Sequence, residues 1–101
     1  MKAVVCESHG DEGVLRIEER PSPDLMPGSV RVAVTAGGLN RADLLQRRGL
    51  YPPPPGVSDV LGLECGGSVV ESGPGANVFE PGQRVMALVP GGGQAEEAVV
   101  D

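Results

Sequence analysis

The 101-residue sequence is poor in aromatic residues, with one Phe, one Tyr and no Trp. Its core must therefore be filled by smaller aliphatic side chains, chiefly Val, Leu and Ala. No apolar run approaches the roughly 20 residues that a membrane-spanning helix needs, and the first residues lack the apolar stretch of a signal peptide. We therefore expect a cytoplasmic domain that does not enter a membrane.

Metal ligands and basic charge are also scarce. Cys6 and Cys65 both lie inside apolar runs, so we expect buried free thiols rather than a disulfide scaffold or a metal cluster. The formal net charge of −6 lacks the basic footprint of a nucleic-acid-binding domain. One basic cluster, formed by Arg41, Arg47 and Arg48, is interpreted as the solvated face of a helix.

Glycine and proline are abundant by contrast, with 16 Gly and 10 Pro. They separate short strand-like runs, which we place at residues 2–6, 14–20, 30–36, 60–72, 83–89 and 95–100. In the third run, Val30, Val32 and Val34 share one face at period two, which is typical of a half-buried strand. The pattern predicts a mainly β fold, a small barrel or sandwich, with one short helix.

The helix is predicted from Asn40 to Arg48. Asn40 is a good N-cap, and Asp43 suits the positive end of a helix. Gly49 follows the last turn, where a left-handed residue often closes a helix. Because two turns are marginal on their own, tertiary contacts must hold this helix in place.

The only tyrosine stands directly before four consecutive prolines. Pro52 favours an extended conformation of Tyr51, and residues 52–55 are expected to continue as polyproline II. From residue chemistry alone, Asn40 caps a helix and Tyr51 packs against prolines; alternatively, their amide and phenol groups converge on a carbonyl oxygen. A ligand for SH3 or WW domains is a further alternative, disfavoured because no disordered sequence surrounds the prolines.

Two glycine-rich motifs are better explained as connections. Gly73-x-Gly75 follows a strand, as in a dinucleotide-binding fingerprint, but Val78 takes the sixth position and Pro81 precedes any helix. We therefore predict a β-turn there. The segment PGGGQAE (residues 90–96) lacks the lysine and Ser/Thr of a P-loop. It is predicted to be a flexible connection over a pocket, with glycines that allow close approach to a ligand.

Two ionisable residues have weak claims to catalysis. Glu64 lies inside an apolar strand, so a structural ion pair with an arginine is expected in preference to an acid–base role. His9 is the only histidine, and no sequence feature places a nucleophile beside it. Nucleophilic catalysis is therefore disfavoured.

The order and spacing of five segments, spanning almost the whole chain, resemble the GroES-like β-barrel of the medium-chain dehydrogenase/reductase superfamily. These segments are KAVV, PSPDLMPGSVRVAV, GLNRADLLQRRGLYPPPPG, LGLECGGSVVESGPGANVFEPGQRVMAL and PGGGQAEEAVV. Zinc-dependent alcohol dehydrogenases carry a cysteine ligand where this chain has Asn40, and a Gly-His-Glu where it has residues 62–64. No four-cysteine lobe follows MALV. The sequence most resembles zinc-independent quinone oxidoreductases, in the branch of the tumour-suppressor-inducible NADPH quinone oxidoreductase.

The resemblance implies a GroES-like, partly open β-barrel with one short helix. Residues 1–101 would be the N-terminal part of a catalytic domain, with the nucleotide-binding domain absent from this chain. The parent protein would use NADPH, without zinc, to reduce quinones or related enones, and would form a dimer or tetramer; the 101 residues alone would be inactive. Asn40 and Tyr51 would line the cleft beside the nicotinamide ring, as catalytic and cofactor-binding residues. The alternative is a stand-alone GroES-like binding or assembly module without redox activity.

Overall fold

A computed structural model describes residues 1–76 and 78–101 and confirms the mainly β fold with one short helix. The elements, in chain order, are β1 (Lys2–Cys6), a 3-10 turn (Glu12–Val14), β2 (Leu15–Glu19), β3 (Val30–Gly37), α1 (Arg41–Arg47), β4 (Glu64–Ser72), β5 (Arg84–Leu88) and β6 (Glu97–Val100). β1 and β2 form a two-stranded sheet, and the other strands form a four-stranded sheet in the order β5-β4-β3-β6. All pairings of these strands are antiparallel.

Two strands begin more than one residue later than predicted. The run at residues 60–72 becomes a strand only at Glu64, because Gly62 adopts a φ of +108° that turns the chain out of an extended path. Before this turn, the Leu61 N–H donates to the Val4 carbonyl oxygen at 3.0 Å. β6 similarly begins at Glu97, since Ala95 forms an isolated bridge with β1.

The two sheets are joined by residues 94–96, which run between them. The Val4 N–H donates to the Gln94 carbonyl oxygen at 2.9 Å, and the Val34 N–H donates to the Glu96 carbonyl oxygen at 2.8 Å. Small aliphatic side chains fill a core on each side of this segment, namely Ala3, Val5 and Val60 on one side and Val30, Val32 and Val69 on the other. Two open sheets joined in this way agree with the predicted partly open β-barrel.

The predicted solvated arginines are not all solvated. Arg41 and Arg48 are exposed, but Arg47 is half-buried. Its Nε donates to the Gly10 carbonyl oxygen at 3.1 Å, and the Gly10 N–H donates to the Arg47 carbonyl oxygen at 2.9 Å. The prediction was wrong for Arg47 because this side chain anchors the end of α1 to the β1–β2 connection.

The cysteines are free thiols, as predicted. Cys65 is buried and Cys6 is half-buried, so the predicted burial holds fully only for Cys65. Burial raises the pKa of both thiols above its ordinary value, and the nearby Arg47 charge opposes this effect at Cys6. In the part of the chain that the structure describes, no helix has the length and apolar character needed to span a membrane.

Candidate functional site

Asn40 stands directly before α1 as its N-cap, as predicted, in an extended conformation with φ −125° and ψ 164°. Its N–H donates to Asp43 Oδ2 at 2.9 Å, while the Asp43 N–H donates to the Asn40 carbonyl oxygen at 3.0 Å. The Asn40 side chain also approaches the Asp43 N–H, but backbone and carboxylate groups already satisfy this turn. The side chain is half-buried, and because its oxygen faces the Asp43 N–H, its NH₂ group is the part that could donate to another partner.

Asp43 connects this turn to the start of β4. The side chain is 2% exposed, and its Oδ1 accepts a hydrogen bond from the Gly62 N–H at 3.1 Å. The sequence indicated a favourable carboxylate in the first helical turn, but it could not indicate a partner 19 residues further along the chain. The bond brings Asn40 close to Gly62, so the two segments that depart from the zinc-ligand pattern meet in space.

A second polar contact holds the segment that leads into Asn40. The Gln94 Nε2 donates to the Gly38 carbonyl oxygen at 3.2 Å. The Glu64 side chain covers Gly38 and occupies the space that a Cβ atom would need there. Glu64 is exposed and forms no ion pair within the described part of the chain, so its predicted structural ion pair is wrong. It lies at the first residue of β4, where its side chain reaches solvent.

The glycine-rich connection before β6 is tied to the chain around Gly62. The Gly92 N–H donates to the Val60 carbonyl oxygen at 2.8 Å, and the Gly93 N–H donates to the Gly62 carbonyl oxygen at 3.1 Å. A Cβ atom at Gly93 would lie 2.8 Å from the Glu64 carbonyl oxygen. These glycines allow close backbone-to-backbone approach, so the predicted flexible connection is instead held by hydrogen bonds.

A cavity of about 540 Å³ lies beside this group of residues. Gly37, Gly38 and Gln94 line its wall, and its apolar surface comes from side chains that include Ile17 and Leu39. Asn40 immediately follows Leu39 in the chain but is not itself among the residues that line the cavity. An apolar lining with a few polar groups is the usual composition of a small-molecule site. The polar side chains here are Lys2, Thr35, Gln94 and Glu96.

Tyr51 follows α1 and is half-buried, but it is not among the residues that line this cavity. The turn before it closes as predicted, with Gly49 at a φ of +79° and the Leu50 N–H bonded to the Leu45 carbonyl oxygen at 2.8 Å. A turn at Pro55 and Gly56 shortens the predicted polyproline segment. Asn40 and Tyr51 thus lie in the segments directly before and after α1.

Metal-ligating side chains do not converge at this site. In residues 1–76 and 78–101, no three His, Cys, Asp or Glu side chains form a group that could hold a metal ion. Both oxygens of Asp43, the carboxylate bonded to Asn40, accept hydrogen bonds from backbone N–H groups. The hydrogen-bond donors that contact Asp43 beside Asn40 are therefore backbone amide groups.

Residues 26–101 match the alcohol dehydrogenase GroES-like domain. The sequence is 38% identical over 89 residues to the human synaptic vesicle membrane protein VAT-1 homolog-like, covering 88% of this chain and 21% of that protein. The crystal structure of this human protein resembles the chain with a TM-score of 0.89 at 36% identity, covering 98% of this chain and 32% of the other.

Two further relatives are described as quinone oxidoreductases or similar to them. The sequence is 39% identical over 101 residues to a quinone oxidoreductase-like protein 2 homolog from Nematostella vectensis, covering 98% of this chain and 27% of that protein. The Escherichia coli quinone oxidoreductase, solved in complex with NADPH, resembles the chain with a TM-score of 0.82 at 27% identity, covering 99% and 31% of the two chains. This chain thus spans only 21% to 27% of the length of these curated relatives. It belongs to the alcohol dehydrogenase GroES-like domain family of the medium-chain dehydrogenase/reductase superfamily.

Proposed function

We propose that this chain is the N-terminal part of the catalytic domain of a zinc-independent, NADPH-dependent quinone oxidoreductase. The observation that carries the proposal is that a buried carboxylate bonds to the backbone of Asn40, the residue directly after Leu39, which lines an open apolar cavity. The relatives support a role in oxidation and reduction, and one of them was solved with NADPH. The substrates would be quinones or related enones.

The residues beside Asn40 fit the nicotinamide end of such a cofactor. Gly38 and Leu39 line the cavity directly before Asn40, whose side-chain NH₂ group would offer a hydrogen-bond donor. The remainder of the nucleotide would need a binding site outside this chain. Gly73-x-Gly75 forms the predicted β-turn, closed by a hydrogen bond from the Ala76 N–H to the Gly73 carbonyl oxygen at 3.1 Å.

When bound, NADPH supplies a hydride, and the residues of this chain orient and polarise the acceptor. The Asn40 amide would donate a hydrogen bond to the quinone carbonyl oxygen, on which negative charge develops. We propose the Tyr51 hydroxyl, from the segment after α1, as a second donor. Ile17 and Leu39 are 72% and 75% exposed in this chain, so in this proposal the bound cofactor and the rest of the protein would have to exclude water from the reacting atoms.

Zinc independence is supported by the chemistry of the side chains. Asn40 cannot supply the thiolate that a catalytic zinc site of this superfamily would require at its position. Asp43, whose carboxylate is bonded to Asn40, already has both oxygens engaged by backbone N–H groups. Polarisation of the carbonyl therefore falls to hydrogen-bond donors in this proposal.

An uncovered sheet face supports the proposal that this chain is part of a larger protein. Met86 and Leu88 on β5 are 90% and 84% exposed, which is unusual for adjacent large apolar side chains on one strand face. We propose that further polypeptide covers this face in a cytoplasmic dimer or tetramer. Small-molecule substrates, rather than nucleic acids or membranes, are the partners that this proposal requires.

The test is an NADPH oxidation assay on the purified full-length protein, with and without an added naphthoquinone. We expect oxidation that depends on the quinone and persists after treatment with a zinc chelator. Loss of turnover on chelation, with recovery on adding zinc, would contradict zinc independence. A native polypeptide with a mass near 10.3 kDa and no quinone-dependent turnover would instead support the stand-alone binding module.

A further inference from the structure

We infer that Asp43 is the positioning residue for Asn40, an inference that rests on the function proposed above. Asp43 is 2% exposed, unlike an ordinary capping carboxylate at a helix surface. Its oxygens bind two backbone N–H groups, those of Asn40 at 2.9 Å and Gly62 at 3.1 Å. One buried side chain thus joins the start of α1 to the chain that leads into β4.

Burial of this carboxylate has an energetic consequence. An unpaired charge in a protein interior is strongly unfavourable, so a buried carboxylate requires hydrogen-bond donors of good geometry. Displacement of either Asn40 or Gly62 would leave one carboxylate oxygen without its donor. Because this loss is unfavourable, Asp43 fixes the relative position of these two residues.

Gly62 is itself fixed relative to the cavity. Its carbonyl oxygen accepts from the Gly93 N–H at 3.1 Å, and Gly93 lines the cavity. On the other side of Asn40, the Gly38 carbonyl oxygen accepts from Gln94 Nε2 at 3.2 Å. Residues 38–40 are therefore held at both ends, while Leu39 between them remains exposed to the cavity.

Asp43 acts on the reaction only through the place where it holds Asn40. In Asp43→Asn, one acceptor oxygen becomes an NH₂ group that faces a backbone N–H donor, so one of the two bonds is lost. A displacement of about 1 Å at a reacting group can lower the rate by about 100-fold. We expect kcat and kcat/KM to fall together by about 10- to 100-fold, as for an interaction made in the transition state.

A double-mutant cycle on the full-length protein tests this inference, using NADPH and a naphthoquinone. The variants are Asp43→Asn, Asn40→Ala and the double variant. If Asp43 acts through Asn40, Asp43→Asn lowers kcat in the wild type but has no further effect once Asn40 is Ala. Independent, multiplicative losses in the double variant would overturn the inference.

A matched control is provided by Asp11, whose Oδ1 accepts from the Gly13 N–H at 2.9 Å in the 3-10 turn. Asp11→Ala removes a carboxylate-to-backbone contact at an exposed place, and we expect kcat to be unchanged. If Asp43→Asn does not fold, Asp43→Ser keeps one hydroxyl acceptor and enters the same cycle with the same expectation.

Amide hydrogen exchange supplies a readout that does not depend on turnover. In Asp43→Asn, exchange at Asn40 and Gly62 should quicken, while exchange at Val32 in the core of β3 stays at the wild-type rate. A uniform change at all three amides would show a general loss of stability and overturn the positioning role. If Asn40→Ala leaves kcat unchanged, the proposed function of Asn40 fails, and the exchange data still decide whether Asp43 holds Asn40.

Discussion

Asn40 precedes α1 and Tyr51 follows it, and different kinds of interaction hold the two ends of this helix. On the Asn40 side, the 2%-exposed carboxylate of Asp43 bonds to Gly62 in the domain interior. On the Tyr51 side, Arg47 bonds to the connection between β1 and β2. The first contact joins α1 to the cavity wall, and the second joins it to a surface hairpin.

The loop after Tyr51 also depends on contacts near solvent. Arg20 forms two hydrogen bonds with the Asp59 carboxylate, at 2.8 and 3.1 Å, and Gln46 Nε2 donates to the Asp59 carbonyl oxygen at 3.0 Å. Ion pairs at a surface contribute little to stability and weaken in salt. The comparison teaches that a buried carboxylate places Asn40, whereas proline stiffness, the half-buried Arg47 and contacts near solvent place Tyr51.

Gly62→Ala should have the largest effect on stability. A Cβ atom at residue 62 would lie 2.5 Å from the Gln94 nitrogen and 2.9 Å from the Gly93 carbonyl carbon. Backbone atoms cannot rotate away as a side chain can, and the φ of +108° adds strain. We expect the free energy of unfolding to fall by about 3 kcal/mol or more, measured by equilibrium urea denaturation.

Gly56→Ala is the control for this effect in the loop after Tyr51. Gly56 has a φ of +81°, but no atom lies within 4 Å of its would-be Cβ. The left-handed conformation alone should cost about 1–2 kcal/mol. Equal losses in Gly62→Ala and Gly56→Ala would contradict the claim that close backbone packing distinguishes the Asn40 side.

Gly49→Ala should fall between these variants. Its Cβ atom would lie 2.7 Å from Nδ1 of His9, which is an exposed side chain that can move away. We expect the unfolding free energy to fall slightly more than in Gly56→Ala, because the His9 side chain must also be displaced. A loss as large as that of Gly62→Ala would show that the helix end beside Tyr51 is packed as tightly as the start.

Asp59→Asn should have the smallest effect, and the effect should depend on pH. Hydrogen bonds from Arg20 lower the pKa of Asp59 below its ordinary value. Since the folded-state pKa is the lower one, this stabilisation is complete above the unfolded carboxyl pKa of about 3.9. It is lost as the pH falls through the folded-state pKa.

Urea denaturation at several pH values checks this expectation. The difference in unfolding free energy between wild type and Asp59→Asn should be constant near neutral pH and shrink in acid. In a protein that already carries Arg20→Gln, the change in unfolding free energy caused by Asp59→Asn should no longer shrink in acid. A difference that grows as the pH falls would contradict the assigned cause.

Local patterns in the sequence predict much of this fold. The alternation of Val30, Val32 and Val34 indicates β3, and Asn40 and Gly49 mark the ends of α1 within one residue. The β-turn at Gly73-x-Gly75 follows from the absence of a helix start after it. These features depend on residues close together in the chain, so a sequence pattern can reveal them.

The errors concern contacts between distant residues. An apolar run from Val60 onward looks like continuous strand, although Gly62 turns the chain before β4 begins. Arg47 was expected in solvent, but its partner Gly10 lies 37 residues earlier. The link from Asp43 to Gly62 is likewise invisible locally. The family resemblance therefore predicts Asn40 as a site residue without showing what holds it.

The most direct test of the account is the kcat/KM of Asn40→Ala and Tyr51→Phe in the full-length protein, with NADPH and a naphthoquinone. Loss of a well-placed donor to a developing oxyanion lowers the rate by about 100- to 1,000-fold. The account predicts a loss of this size for Asn40→Ala and a smaller loss for Tyr51→Phe, because Asn40 is held from the interior. Unchanged kcat/KM in Asn40→Ala would contradict the central claim that this amide acts on the substrate.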